Sequence, residues 1–313
     1  MSTIVPILHQ YAFSPFSEKI RTIFGYKQVA WQSVEIPGLP PRPLLTPLTG
    51  GYRRTPVMQI GADIYCDTNV IVPALDRLFP SSPLLSPRGT EGVCSGLAFA
   101  WERQVWIPTI GVLVHFIGEH IPEDFLKDRK ESYLMIDISK PAMAADFQQH
   151  VQYLRAQLAW LEGALNHRPF LLGNSPCAGD FACWQTIFLL RKNCPPELDG
   201  LLGIGSNSPI ISWYERMLSF GHGHCVEISA QEAFDRAKQA SPSAVLHLDP
   251  DGDPGGLKAG QEVRITPDDN AKVPVTGKLV AASHSEIVIA RQDAEAGSLH
   301  IHFPRLGFIV DAI

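Results

Sequence analysis

The period of the hydrophobic pattern changes twice along the 313 residues, and no other feature constrains the fold as strongly. Up to about residue 80, apolar spacing switches between 2 and 3.6. IVPILH (4–9) reads as a buried strand, PFSEKIRTIFGYK (15–27) as a helix with Phe16, Ile20, Ile23 and Phe24 on one face, and VAWQSV (29–34) as a second strand. After a proline-rich stretch (38–54) come two short strands around a glycine-containing turn and a helix, DTNVIVPALDRLF (67–79). From about 88 to 221 strand signals nearly vanish and helical periodicity takes over, as in AMAADFQQHVQYLRAQLAWLEGAL and PIISWYERMLSF. From 261 onward the chain returns to short alternating runs, QEVRITP, VTGKLVAAS, EIVIARQ, LHIHFP and LGFIVDAI. The expected architecture is a multidomain α/β, all-α and small all-β chain: an α/β domain over 1–84, a helical bundle over 85–240 and a β-barrel or sandwich over 241–313. FPSSPLLSPRG (79–89) and DPDGDPGG (249–256) have the composition of joints.

Charge and cysteine usage exclude several classes of function. A net charge of −6, and ten acids against six bases from Val245 onward, leave no basic surface to displace counterions from nucleic acid. No apolar run reaches the length of a membrane span, and MSTIVPILHQYAF has no basic segment before an apolar one, so a cytoplasmic location is expected. The six cysteines form no CxxC pair, which argues against a zinc ribbon or disulfide framework. His222, His224 and Cys225 lack an evident fourth ligand. Asp249, Asp251 and Asp253 resemble the start of a calcium loop, but Gly260 stands where the bidentate glutamate belongs, so no metal is expected. His300 and His302 alternate with Leu299 and Ile301, and the face they share reads as solvated.

Three short stretches carry chemistry. Ser14 precedes Pro15, and Glu18 falls in the first turn that follows, a helix start in which the serine caps the backbone. That cap follows the first strand of a βαβ unit, at the carboxyl edge of a sheet, where ligands bind in open α/β folds and where the helix N-terminus favours an anion. A hydroxyl there can serve a thiolate as well as the backbone. One hydrogen bond to a charged acceptor, worth about 1.5–3 kcal/mol, lowers a thiol pKa by about one to two units. Thr55-Pro56 opens a strand. A cis bond at that position would turn the Thr55 backbone outward, ready to pair with a peptide-like ligand. Asp67-Thr68 starts a helix, either as its cap or as an acid and a hydroxyl that receive the head of an amino acid.

These elements, in this order ahead of a helical bundle, resemble the cytosolic glutathione S-transferase family over Ile4 to about Gly221. The resemblance implies a thioredoxin-like domain, an all-helical domain, glutathione as co-substrate and a homodimer. Ser14 matches the residue that hydrogen-bonds the glutathione sulfur in serine-type members. Thr55 and Pro56 match the cis-proline position, and Asp67 and Thr68 match the acid-serine pair that holds the γ-glutamyl group, with threonine for serine. FLLGNSPCAGDFACW resembles the family's second-domain capping box, with Asp180 at its third helical position and Cys177 where serine or threonine is usual, so that Ser175 is a possible substitute. Tyr11 is a second candidate for the sulfur contact, ranked below Ser14 because it precedes the helix start. Ser17 stands beside Ser14 in place of a thiol, which excludes disulfide-reductase chemistry. The first 84 residues carry seven bases against five acids, which suits an anionic tripeptide, and Arg53 or Arg54 is a candidate for its glycine carboxylate. Phe99, Trp101, Trp106, His115 and Phe116 are candidates to line a pocket for a small hydrophobic electrophile. The rival expectation is a catalytically idle interaction protein that docks partners through its C-terminal strands.

Overall fold

A computed structural model describes residues 4–246, 253 and 255–313. In chain order the elements are β1 (Ile7–Gln10), α1 (Pro15–Lys27), β2 (Trp31–Glu35), α2 (Leu45–Thr49), β3 (Val57–Ile60), β4 (Asp63–Cys66) and α3 (Thr68–Leu78). Helices α4 (Glu91–Ile117), α5 (Glu123–Asp128), α6 (Lys140–Ala144), α7 (Phe147–Leu165), α8 (Ala178–Asn193), α9 (Glu197–Leu201) and α10 (Pro209–Ser219) follow. The chain ends with β5 (Cys225–Glu227), α11 (Ala230–Gln239), β6 (Glu262–Pro267), β7 (Val275–Ala282), β8 (Glu286–Asp293), β9 (Gly297–Pro304) and β10 (Phe308–Ala312). The α/β start, the helical middle and the five C-terminal strands all appear where the periodicity put them.

Contacts divide the chain differently from its composition. One compact unit holds residues 1–17, 29–78 and 224–313, and the other holds 18–28 and 79–223. In the first unit β1 pairs in parallel with β2 and antiparallel with β3, and β3 pairs antiparallel with β4, the order of a thioredoxin-like sheet. Both edges of that sheet are extended: β5 adds in parallel to β2, and β9 adds in parallel to β4. Strands β6 to β10 continue outward from β9 as antiparallel neighbours, which makes one ten-stranded sheet among the described residues. The core is continuous across the β4–β9 seam, because Ile7, Val57 and Ile64 belong to the same buried cluster as Val263, Ile289, Ile301 and Phe303. Fully burying an aliphatic or aromatic side chain contributes about 1.5–3 kcal/mol, and that shared burial welds the C-terminal strands to the α/β segment. Helix α11 packs on the same sheet, with Gln59 Nε2 donating to the Ala233 carbonyl at 2.8 Å.

The second unit is helical. Its long helix α4 packs against α7 and α8, and Trp184 of α8 is wholly buried with its indole N–H on Thr22 Oγ1 at 3.0 Å. Lys19, 1% exposed, reaches Glu102 at 2.6 Å, and Gln185 donates to the same carboxylate oxygen at 2.8 Å, so this buried charge is both paired and hydrogen-bonded. Cys177 takes the N-cap position of α8, and the capping box is intact despite the missing hydroxyl. Asp180 carries it: its carboxylate accepts from the backbone N–H of Cys177 at 2.9 Å and of Leu171 at 3.0 Å, and from the Trp213 indole at 2.8 Å. Ser175 is exposed. Among the described residues no helix is long and apolar enough to cross a membrane.

Candidate functional site

Three strand ends lie in one row. His9 of β1 stands opposite Val57 of β3, and Val57 opposite Cys66 of β4. The chain therefore leaves β1 toward Ser14, enters β3 from Pro56 and leaves β4 toward Asp67, all at one edge of the sheet. That edge also receives the start of α1 and the start of α3, two helix N-termini. The C-terminal strands end there as well, since Tyr65 lies opposite His302 in the parallel pairing of β4 with β9.

Ser14 is the N-cap of α1 in fact as well as in pattern. Its Oγ accepts the Ser17 backbone N–H at 3.1 Å, and its own N–H donates to the Tyr11 carbonyl at 3.1 Å. The cap uses an oxygen lone pair. The hydroxyl proton is given to no acceptor among the described residues, so capping and donation to a sulfur are compatible on one oxygen. Ser14 is 3% exposed, and in such a setting a hydrogen bond to an anion is stronger than in water. Ser17, fully buried, has a hydroxyl without a partner among the described residues. Tyr11 is partly buried against the core of the first unit. The loop is pinned by Glu35, which accepts from Ala12 N–H at 3.2 Å and from Gln10 Nε2 at 3.0 Å. The parallel register sets Gln10 against Glu35, a link that periodicity alone did not flag.

The Thr55–Pro56 peptide is cis. Thr55 Oγ1 is buried without a partner, and Thr55 makes no backbone hydrogen bond among the described residues. Asp67 adopts φ +97°, a region costly for a side-chain-bearing residue and one that clusters at ligand sites. Its carbonyl receives the Val70 and Ile71 N–H groups of α3, while Oδ1 accepts from the Asn69 backbone at 2.9 Å and the Asn69 side chain at 3.1 Å. Thr68 is buried as the first residue of α3. Two neighbours of Asp67 were not anticipated: the Tyr52 hydroxyl donates to Oδ2 at 3.4 Å, and Arg54 lies 3.7 Å from the same oxygen. Arg54 is thus an ion-paired group on the acid side of the site, where sequence reading made it a loop arginine that could meet a carboxylate.

Several other expectations change. His300 and His302 do not share a solvated face. His302 is 2% exposed, with Nδ1 on Glu286 Oε1 at 2.8 Å, Nε2 on Asp63 Oδ1 at 3.3 Å and its ring stacked on Tyr65, while His300 Nδ1 lies 3.7 Å from Asp63. The alternation was read correctly, but β9 is an interior strand, which makes that face a seam. Burial pulls the His302 pKa down, yet the hydrogen bonds and charges of Asp63 and Glu286 outweigh it and leave it above the ordinary value. His222 bonds Glu18 Oε1 at 3.0 Å, whereas the His224 carbonyl accepts the Trp31 N–H at 2.9 Å and Cys225 begins β5, so these residues serve separate partners. Asp249 and Asp251 lie outside the described residues, and Asp253 pairs with Arg305 at 3.0 Å. Of the pocket candidates, Trp101 is buried with its indole on Thr186, His115 stacks on Phe147, and Phe99 lies under Arg103.

Family models and solved structures show what this chain is similar to. Residues 8–83 match the family model for the glutathione S-transferase N-terminal domain, and residues 144–216 match that for the C-terminal domain. The chain is similar to the crystal structure of a GST-like protein from Pseudomonas syringae, at 34% identity over 99% of both chains with a TM-score of 0.78. It shares a fold with the glutathione S-transferase of Ceriporiopsis subvermispora in complex with glutathione, at 14% identity over 69% of this chain and 97% of that one with a TM-score of 0.54. The glutathione transferase GSTFuA3 from Phanerochaete chrysosporium is similar at the level of fold too, at 14% identity over 70% and 98% with a TM-score of 0.52. No curated protein matches. With both domain models matched in order and a full-length relative at this identity, the chain belongs to the glutathione S-transferase family.

Proposed function

We propose that this protein binds glutathione and ionises its thiol for attack on a small hydrophobic electrophile, acting as a cytoplasmic homodimer. The observation that carries the reading is the set of unused polar groups at one sheet edge: the Ser14 hydroxyl proton and the backbone and hydroxyl of Thr55. Buried polar groups are ordinarily hydrogen-bonded, so several unsatisfied ones side by side call for a ligand with matching groups. Glutathione supplies them. Its cysteinyl N–H and C=O complement the Thr55 backbone, its γ-glutamyl ammonium complements Asp67, its α-carboxylate complements the N-terminus of α3, and its sulfur accepts from Ser14. The relative solved in complex with glutathione shares the fold of this chain.

In the proposed chemistry the thiol loses its proton to water, and Ser14 Oγ–H donates to the sulfur while the N-terminus of α1 favours its charge. The sulfur's electron pair then forms the S–C bond as the electrophile's leaving group departs or its π bond accepts the pair. Rate enhancement comes from thiolate fraction and proximity, with no covalent enzyme intermediate. Titrating the ultraviolet absorbance of bound glutathione tests this. The wild type should show a thiol pKa about one to two units below the free value of about 8.5, and Ser14→Ala should return it toward that value. An unshifted thiol in the wild type, or no binding at millimolar glutathione, overturns the proposal.

A further inference from the structure

We infer that Asp269, on the loop between β6 and β7, is a positioning residue for the γ-glutamyl end of the thiol site, acting through Arg54 on Asp67. The inference rests on the reading of Asp67 as the group that meets the glutathione ammonium.

The Arg54 guanidinium lies between two carboxylates. It forms an ion pair with Asp269, donates to the Asn270 carbonyl at 2.5 Å, and stays 3.7 Å from Asp67 Oδ2. The tighter partners are in the β6–β7 loop, so the extension holds the arginine off the acid. Charge decides the consequence. Asp67, Arg54 and Asp269 together sum to −1, which attracts an ammonium. Without Asp269 the pair sums to zero, and the guanidinium loses the carboxylate that competes with Asp67 for it, at the place where the ligand's cation must sit.

Packing holds the arrangement in register. Asp268 N–H donates to the Gly307 carbonyl at 3.0 Å, which fixes the loop against the turn before β10. Phe308 lies 5.7 Å beneath the Arg54 guanidinium, and Tyr52, which donates to Asp67, packs edge-on against Phe303 with ring centres 6.0 Å apart. Gly50 caps α2 at φ +65°, and a side chain there would meet Val275 Cγ1 at 2.7 Å, so β7 approaches this segment as closely as glycine allows. The strands beyond 261 thus supply a charge and an aromatic floor to a site whose ligand contacts come from the first 70 residues.

The test is glutathione affinity by calorimetry on the full chain. Asp269→Ala should weaken binding about tenfold while leaving kcat at saturating glutathione unchanged, a KM effect alone. Asp269→Ala combined with Arg54→Met restores the −1 charge and should recover most of that loss. A glutathione analogue lacking the γ-glutamyl amine should bind wild type and Asp269→Ala equally. The inference is overturned if Asp269→Ala binds glutathione like the wild type, if glutathione and the des-amino analogue weaken together, or if the second substitution deepens the loss. Wild-type protein that fails to bind glutathione removes the site reading and this inference with it, whereas a binding wild type with an indifferent Asp269→Ala removes this inference alone.

Discussion

Two helix starts in this protein carry similar sequence signatures and opposite chemistry. At α8 the capping box is closed: Asp180, fully buried, receives three N–H donors and shows no spare capacity toward a ligand. At α1 the cap is open. Ser14 accepts one backbone N–H and gives its own proton to nothing among the described residues, Ser17 has an unpartnered hydroxyl one turn on, and Thr55 across the sheet edge is unpaired too. Both starts satisfy helix capping, so capping does not separate them. What does is whether the remaining polar valences are filled, since a structural site closes its hydrogen bonds internally and a ligand site keeps some for its ligand.

The largest effect should come from breaking the closed cap. Asp180→Ala strands three buried donors, and we expect a loss of about 4 kcal/mol or more in urea unfolding. A loss below about 1 kcal/mol would mean that α8 does not depend on the box. Ser14→Ala breaks the open one and should divide differently, with about 1 kcal/mol of stability lost with the cap and a 10- to 100-fold fall in thiol-dependent rate at neutral pH, measured as turnover per folded molecule. Equal losses of stability at the two sites, with no loss of rate at Ser14, would erase the distinction.

A third prediction extends the comparison to the β4–β9 seam, another closed cluster but a titratable one. With its pKa raised in the folded state, His302 contributes stability that is fully present below about pH 6.5 and is lost as pH rises through the raised value. Asp63 is pulled below its ordinary 3.8: burial alone would raise it, but His302 and Ser243 outweigh that, so its contribution is lost only as strong acid approaches the lowered value. His9, driven down to about 4 by burial, and His300, lowered likewise, lose stability only on acidification below about 6.5. The denaturation midpoint of the wild type should therefore fall as pH rises above about 6.5, and His302→Gln should abolish that slope while lowering stability at pH 6. An identical alkaline slope in the variant would place its origin elsewhere. The smallest effect is expected at Ser17→Ala, within about 0.5 kcal/mol of neutral because the lost hydroxyl bonds nothing. A marked rise in KM for glutathione would instead move Ser17 into the ligand's contacts.

Much of this site was legible locally. Ser14-Pro15, Thr55-Pro56 and Asp67-Thr68 are short-range signals, and each functions within a few residues of its own position, as a cap, a cis peptide and a helix start. The groups that orient them were not legible, because they lie far along the chain. Arg54 meets Asp269 across 215 positions, and His302 meets Asp63 across 239. No periodicity relates such partners. The link exists only because β9 pairs in parallel with β4 in one register, and a shift by one residue would have turned His302 to the other face. The same dependence hid β5, three exposed residues without alternation that become a strand because the edge of β2 offers unpaired backbone.

The sequence by itself determined most of the regular elements, since hydrophobic period and helix caps act over one or two turns, where the chain's own neighbours dominate the energy. Only the tertiary structure decided that the C-terminal strands join the α/β sheet instead of standing apart, that His302, read as solvated, is buried between Asp63 and Glu286, and that Arg54 pairs with Asp269 beside Asp67. Those outcomes depend on strand register and shared burial between segments some 200 residues apart, where many pairings satisfy the local pattern and packing selects one.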